Sequence, residues 1–230
     1  MVKENKSKFK IQIDNYYQIN ENGKFVLDND QIKAIVLKMI ELKNELNITI
    51  KTILLDNNVV RVAIYQHLID MEPLSFSSRR KIVEVFLKTA FKNATLKTID
   101  GKEIRLFSSG AKKISRSPTN HQQEIALYSD KLVQVAQYDK TVCSNKNKRF
   151  KGVIHFYKSF ILFDGVLLTA NLNIREDASG LNLYDINKIA MIGDTSSVGW
   201  AYITAKNNLI DCESNVNCST NNRNKENKKH

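Results

Sequence analysis

Cysteine is scarce in this chain: Cys143, Cys212 and Cys218 are the three present in 230 residues. They are too few and too scattered for a disulfide framework, and none has metal-ligand company. That usage predicts a reduced, intracellular protein, hence a cytoplasmic location. No metal and no cofactor are expected. Long apolar runs are missing as well. No stretch approaches membrane-spanning length, so no membrane association is expected. The first residues, MVKENKSKFK, are charged with no apolar stretch behind them, which predicts a chain without a signal peptide. There is no Walker loop, dinucleotide glycine pattern, Ser-His-Asp order or zinc spacing, and no internal repeat. Acidic residues are the last shortage: 24 Asp and Glu face 35 Lys and Arg, a formal charge of +11. A balance this basic favours a polyanionic partner, with nucleic acid as the expectation. The competing explanation is compositional, because Lys and Asn are abundant throughout.

What is present is led by residues 152–185, GVIHFYKSFILFDGVLLTANLNIREDASGLNLYD. Asp164-Gly165 between two alternating apolar runs predicts a tight hairpin, since a two-residue type I′ turn needs positive φ at both central positions. Phe163 then faces Val166, and the register runs back to His155 opposite Ile174. One face carries His155, Tyr157, Ser159, Ile161 and Phe163 with Val166, Leu168, Ala170, Leu172 and Ile174, and is assigned to the core. The other carries Ile154, Phe156, Lys158, Phe160 and Leu162 with Leu167, Thr169, Asn171, Asn173 and Arg175. Its inner half is apolar. Toward the open end, Lys158, Asn171, Asn173 and Arg175 form a cationic surface between aromatic rings. A third short strand is expected at 181–184.

Hydrophobic residues make up 42% of the chain, enough for a core. The N-terminal region, 1–95, reads as mostly helical. Asp28 or Asp30 caps a helix with Ile32, Ile35, Val36, Met39, Ile40 and Leu42 at the 3.6-residue period. An apolar segment at 48–55 leads to a helix at 59–71, and Ser75, Ser77 or Ser78 caps another that runs from about 79 to 91. Residues 10–17 read as a short strand and Asn22-Gly23 as a turn. Region 96–206 reads as an α+β domain with an antiparallel sheet. It begins with an Asp100-Gly101 hairpin and a Ser/Gly/Pro loop at 108–120. An amphipathic helix follows at 121–138, then a charged loop at 141–151 and the central hairpin, with further strands at 186–194 and 200–205. The tail, 207–230, reads as disordered. The expected fold class is α+β, helical first and sheet after.

From about 104 to 189 the chain resembles the large-polyvalent-protein-associated and phage barnase/EndoU/colicin/RelE-like domains of phages and mobile elements. The resemblance is carried by HQQEIALYSDKLVQVAQY, HFYKSFILFDGVLLTANLNIRE and GLNLYDI. It implies a compact α+β domain with an antiparallel sheet and, in nuclease members, metal-independent RNA cleavage on the sheet face. Such cleavage needs a base for the 2′-OH, an acid for the 5′-oxygen and a cation for the phosphorane. His155 is a candidate acid or base, with Arg175 as phosphate clamp and Lys158 beside it. His121, at a helix start, is the other acid or base candidate. Each has a structural alternative: His155 lies on the core face, and His121 also suits a helix start. Tyr184 is read as a packing residue.

Two basic loops are candidate phosphate contacts: Lys112, Lys113 and Arg116 in one, and Lys146, Lys148, Arg149 and Lys151 in the other. The leading expectation is therefore an RNA-binding protein of phage or mobile-element type that extends to metal-independent ribonuclease activity, RNA being favoured over DNA as partner. One alternative is a DNA-binding or structural accessory protein that uses a helix-turn-helix-like segment with Arg61, Tyr65, Gln66 and His67. Another is a protein-interaction module, such as a host-defence inhibitor. The oligomeric state is left open.

Overall fold

The computed structural model describes residues 18–46, 48–55, 58–117, 119–147, 150–163 and 166–194. Asn20 and Gly23, the latter at φ 69°, close a turn between β1 (Gln18–Ile19) and β2 (Phe25–Val26). Helix α1 (Asn29–Glu45) starts at Asp28, whose side chain accepts from Asp30 and Gln31 N–H, while Gln31 accepts from the Asp28 N–H. This reciprocal cap satisfies otherwise orphaned donors. Ile32, Val36 and Met39 are its buried stripe. Helix α2 (Phe76–Ala90) is capped by Ser75 and buries Ile82, Val83, Phe86 and Leu87.

Between these helices the structure departs from the helix expected at 59–71. β3 (Ile50–Leu55) and β4 (Asn58–Ile64) form an antiparallel hairpin with Ile50 opposite Ala63 and Leu55 opposite Asn58. Val59, Val60, Val62 and Ile64 are β-branched. Such side chains crowd a helical turn but pack well on a pleated surface. Region 1–95 is thus mixed, with α1 and α2 set among β1–β4. The helix-turn-helix reading falls with it, because Arg61 lies on a strand and Tyr65, Gln66 and His67 follow it in irregular chain.

β5 (Thr95–Lys97) and β6 (Glu103–Arg105) pair around Gly101, which has φ 79° as the Asp100-Gly101 turn requires. The expected loop at 108–120 contains α3 (Ser108–Ile114). Gly110 lets that helix lie directly on the sheet, since a Cβ there would sit 2.2 Å from the Leu183 carbonyl oxygen. The single helix expected at 121–138 is two, α4 (Asn120–Ala126) and α5 (Ser129–Val135). Tyr128 breaks it: the hydroxyl donates to the Gln66 carbonyl at 2.6 Å and the ring packs 4.4 Å from that of Tyr65. The charged loop expected at 141–151 is largely strand, formed by β7 (Gln137–Asn147) and the start of β8 (Phe150–Phe163).

β8 pairs with β9 (Val166–Asp177) in the expected register, Phe163 opposite Val166 and His155 opposite Ile174. β10 (Gly180–Asp194) runs as one strand where two were expected. The sheet order is β3-β4-β8-β9-β10-β6-β5, with β7 also on β8. Strands from both sides of residue 95 share it. The β4–β8 and β6–β10 pairs are parallel, so the sheet is mixed, not purely antiparallel. All five described helices contribute to the main core, against Tyr157, Ile161, Leu172, Ile174 and Leu183. A smaller cluster, Val60, Val62, Phe160 and Leu167, is built from strand residues alone. It is the apolar half of the second face. The strands expected at 10–17 and 200–205, the Asp164-Gly165 turn and the 207–230 tail lie outside the described residues.

Candidate nucleic-acid interface

Period-two alternation separates the chemistry of β7–β10 onto two faces. On the face away from the main core, β7 brings Lys140, β8 brings Phe156 and Lys158, and β9 brings Asn171 and Asn173. The register sets them side by side: Lys140 opposite Phe156, Phe156 opposite Asn173, and Lys158 opposite Asn171. β10 extends the row with Asp185 opposite Asn173 and Asn187 opposite Asn171. Arg175 shares this face, opposite Ile154, and its guanidinium carbon lies 3.2 Å from the centre of the Tyr184 ring. The Lys140 ammonium is 5.8 Å from the Phe156 ring centre. Lys140 and Lys158 are exposed, and Phe156, Arg175 and Tyr184 are half-buried. Acids share this face as well: Asp185, whose carboxylate accepts from the Asn187 amide at 3.4 Å, and Asp177, two residues along β9 from Arg175, which accepts from the Asn182 amide at 3.1 Å. Cations alternating with rings on a pleated surface suit a single strand, with bases stacked and phosphates paired.

His155 belongs to the opposite face, at the end of the hairpin where the main core thins out. Its Nδ1 lies 2.7 Å from the Thr141 hydroxyl and its Nε2 2.8 Å from a Glu176 carboxylate oxygen. The Thr141 hydroxyl is 2.9 Å from that of Tyr138. The imidazole is 13% exposed and its carboxylate partner 52%. Across the Tyr138–Tyr157 edge contact, the Lys102 ammonium lies 5.4 Å from the Tyr138 ring and 5.8 Å from that of Tyr157. The Tyr157 hydroxyl is buried and, among the described residues, lacks a hydrogen bond of good geometry. Burial pushes its pKa up, with the nearby Lys102 acting against that. Lys102 is in turn held above the usual lysine value, chiefly by its interaction with the Tyr157 hydroxyl, with Asp100 3.7 Å away also favouring the cation.

The four catalytic candidates therefore do not converge. Arg175 and Lys158 lie across the sheet from His155. His121 is at the far end of β8, its ring 5.8 Å from that of Phe163. The eight residue steps from 155 to 163 span about 26 Å of strand. Phe163 also receives His67 at 4.5 Å, and that imidazole is bound to the buried Glu124 at 2.6 Å. Lys112, Lys113 and Arg116 are exposed at the end of α3, in the helix layer. They do not flank the same surface as Lys158. Lys146 and Lys151 sit on β7 and β8 near their shared end, while Lys148 and Arg149 lie outside the described residues.

Reading the hairpin alone misses Tyr138, Thr141 and Lys102. The first two become visible only with β7 in register on β8, and the third with the β5–β6 turn packed against them. Glu176 carries a signal, since it shares the face of Ile174 and His155. Among the described residues no group of three or more His, Cys, Asp or Glu could hold a metal ion, and no helix is long and apolar enough to cross a membrane. No protein-family model, curated protein or solved structure matches the chain.

Proposed function

We propose that this chain binds single-stranded nucleic acid, RNA ahead of DNA, on the face of β7–β10 that carries Lys140, Phe156, Lys158, Arg175 and Tyr184. The observation that supports it is the interleaving of these cations with rings on a face to which no described helix contributes packing. Bases stack on Phe156 and on the Arg175–Tyr184 pair, phosphates pair with the cations, and Asn171, Asn173 and Asn187 offer hydrogen bonds to base edges. Fluorescence anisotropy of the full chain with labelled RNA and with duplex DNA tests the reading. Binding to single-stranded RNA that weakens steeply with salt is expected. Salt-insensitive binding, or none, overturns it in favour of a protein-interaction module.

A second reading adds metal-independent cleavage, and the His155 group supports it. In this reading Glu176 holds the imidazole through Nε2, and Nδ1 takes the 2′-OH proton once the substrate hydroxyl replaces that of Thr141; Lys102, against the Tyr138 and Tyr157 rings, is the cation assigned to the developing charge. Incubating RNA with the protein in EDTA is the test, with His155→Ala and Lys102→Ala alongside. Cleavage lost in both variants with binding retained supports this reading. An inert wild type removes it and leaves the binding reading intact. The phage or mobile-element setting rests on the resemblance alone.

A further inference from the structure

A cavity of about 420 Å³ opens where the end of α2 meets the ends of β5 and β6 and the start of α3. Its walls include Lys88, Lys92, Asn93, Thr95, Arg105 and Phe107, and among the described residues no acidic one lines it. Lys88 is engaged elsewhere, 2.6 Å from Glu84 one turn back on α2. Lys92 and Arg105 are exposed, and no ion pair holds either among the described residues. Two cations thus meet in one concavity whose described wall carries no carboxylate.

The other half of the wall is aromatic. Phe107 is 42% exposed although it sits where α3 begins. At that position most helices place Ser, Thr, Asp or Asn for its capping oxygen, and Phe107 supplies no side-chain cap. A large ring left in water against a local preference is the kind of departure that function explains. Phe91 adds a second, buried ring, and the backbone turns away from α2 at Asn93, φ 60°, which shapes the mouth. A cation pair beside an exposed ring calls for a ligand with an anionic end and a flat one, and the volume is within the range of small-molecule sites.

We propose that this cavity binds a nucleoside monophosphate, its phosphate held by Arg105 and Lys92 and its base against Phe107. Two sources share that chemistry: a free mononucleotide and the phosphorylated end of a bound strand. The strand end gains from position. Arg105 pairs in register with Asn182, and Asn182 pairs with Arg175, so the cavity lies two strands from the Arg175–Tyr184 stack, about 10 Å away. The free-nucleotide source does not depend on RNA binding to the sheet.

Calorimetric titration of the full chain with AMP, adenosine and inorganic phosphate tests this. AMP is expected to bind at least ten times more tightly than either half alone, and Arg105→Gln and Phe107→Ala are each expected to weaken it about tenfold, roughly one charge-assisted bond or one stacking contact. Both positions are exposed, so a thermal melt will show the variants folded. Equal affinity for phosphate and AMP, no binding of AMP, or AMP binding indifferent to both substitutions overturns the proposal. A parallel titration with 5′-phosphorylated and 5′-hydroxyl RNA separates the sources. An Arg105-dependent preference for the phosphorylated strand assigns the cavity to the strand end. AMP binding without that preference assigns it to the free nucleotide, whether or not the sheet face binds RNA.

Discussion

Replacing Lys140, Lys158 and Arg175 together by glutamine should change the salt dependence of RNA binding by an amount the geometry fixes. Each phosphate neutralised on a single strand contributes about 0.7 to the slope of log affinity against log salt. Three lost contacts flatten that slope by about 2. At about 0.1 M salt each contact is worth a factor of about 5, so the triple variant should bind on the order of 100-fold more weakly, with the two curves converging near 1 M. Arg175 adds a term that salt does not remove, because its stacking on Tyr184 at 3.2 Å shapes the platform on which a base would lie. A small offset should therefore persist at high salt for Arg175→Gln and vanish for the two lysines. Lys140 and Lys158 are exposed, so their loss should leave the melting temperature nearly unchanged. Anisotropy from about 50 to 500 mM KCl measures the slopes. The comparator replaces Lys112, Lys113 and Arg116 in the helix layer and should keep the wild-type slope. If the sheet variant retains the wild-type slope while the comparator loses it, the interface lies on the helices and the reasoning fails.

Gly110→Ala should lower stability by about 3 kcal/mol, the upper part of the range for overpacking, because the new methyl meets the Leu183 backbone oxygen at 2.2 Å and not a flexible side-chain tip. A fall in melting temperature of roughly 5–10 °C is expected, and an unchanged melt would mean that α3 does not rest on β10. Tyr65→Phe should be neutral or stabilising, since the buried Tyr65 hydroxyl has no hydrogen-bond partner among the described residues, whereas Tyr128→Phe strips the Gln66 carbonyl of a 2.6 Å bond and should cost about 1–2 kcal/mol. Thermal melts of both variants that rank the other way would refute that assignment. Burial raises the pKa of Tyr65, Tyr128 and Tyr157, so above the ordinary value of 10.0 the unfolded chain releases protons that the folded one keeps. Stability should hold below that pH and fall above it, less steeply in Tyr65→Phe. Lys43, whose pKa is lowered by burial, acts in the opposite sense just below 10.5 and can only blunt the fall. Melts at intervals between about pH 8 and 11 check the sign.

The sequence makes some elements plain and hides others for physical reasons. Asp164-Gly165 pins a register over two strands, and alternation then sorts Lys158, Asn171, Asn173 and Arg175 onto one face, where the structure has them. The same alternation puts His155 on the other face, so grouping it with Arg175 in one site runs against the register itself. β4 is hidden because Val59, Val60 and Ile64 read equally as a packed helix until β3 and β8 supply partners. The break between α4 and α5 comes from Tyr128 reaching Gln66, a contact 62 residues distant in sequence that no local window contains. The parallel β4–β8 and β6–β10 pairs have no turn to announce them. Lys102 and Thr141 reach the His155 group only through such distant pairings, which is why the hairpin alone leaves them out.

β8 holds two partners along one edge: β7 beside its first half and β4 beside residues 160–162. A truncated chain that begins after residue 95, the natural choice for isolating the sheet, would lose the second half of that edge and uncover Phe160 and Leu167 as Val60 and Val62 depart. Bare strand edges beside exposed apolar side chains recruit other chains. Self-association of such a truncation would be a property of the cut, and its RNA binding would be read through that aggregation. The smallest faithful unit for measurement therefore keeps β3 and β4.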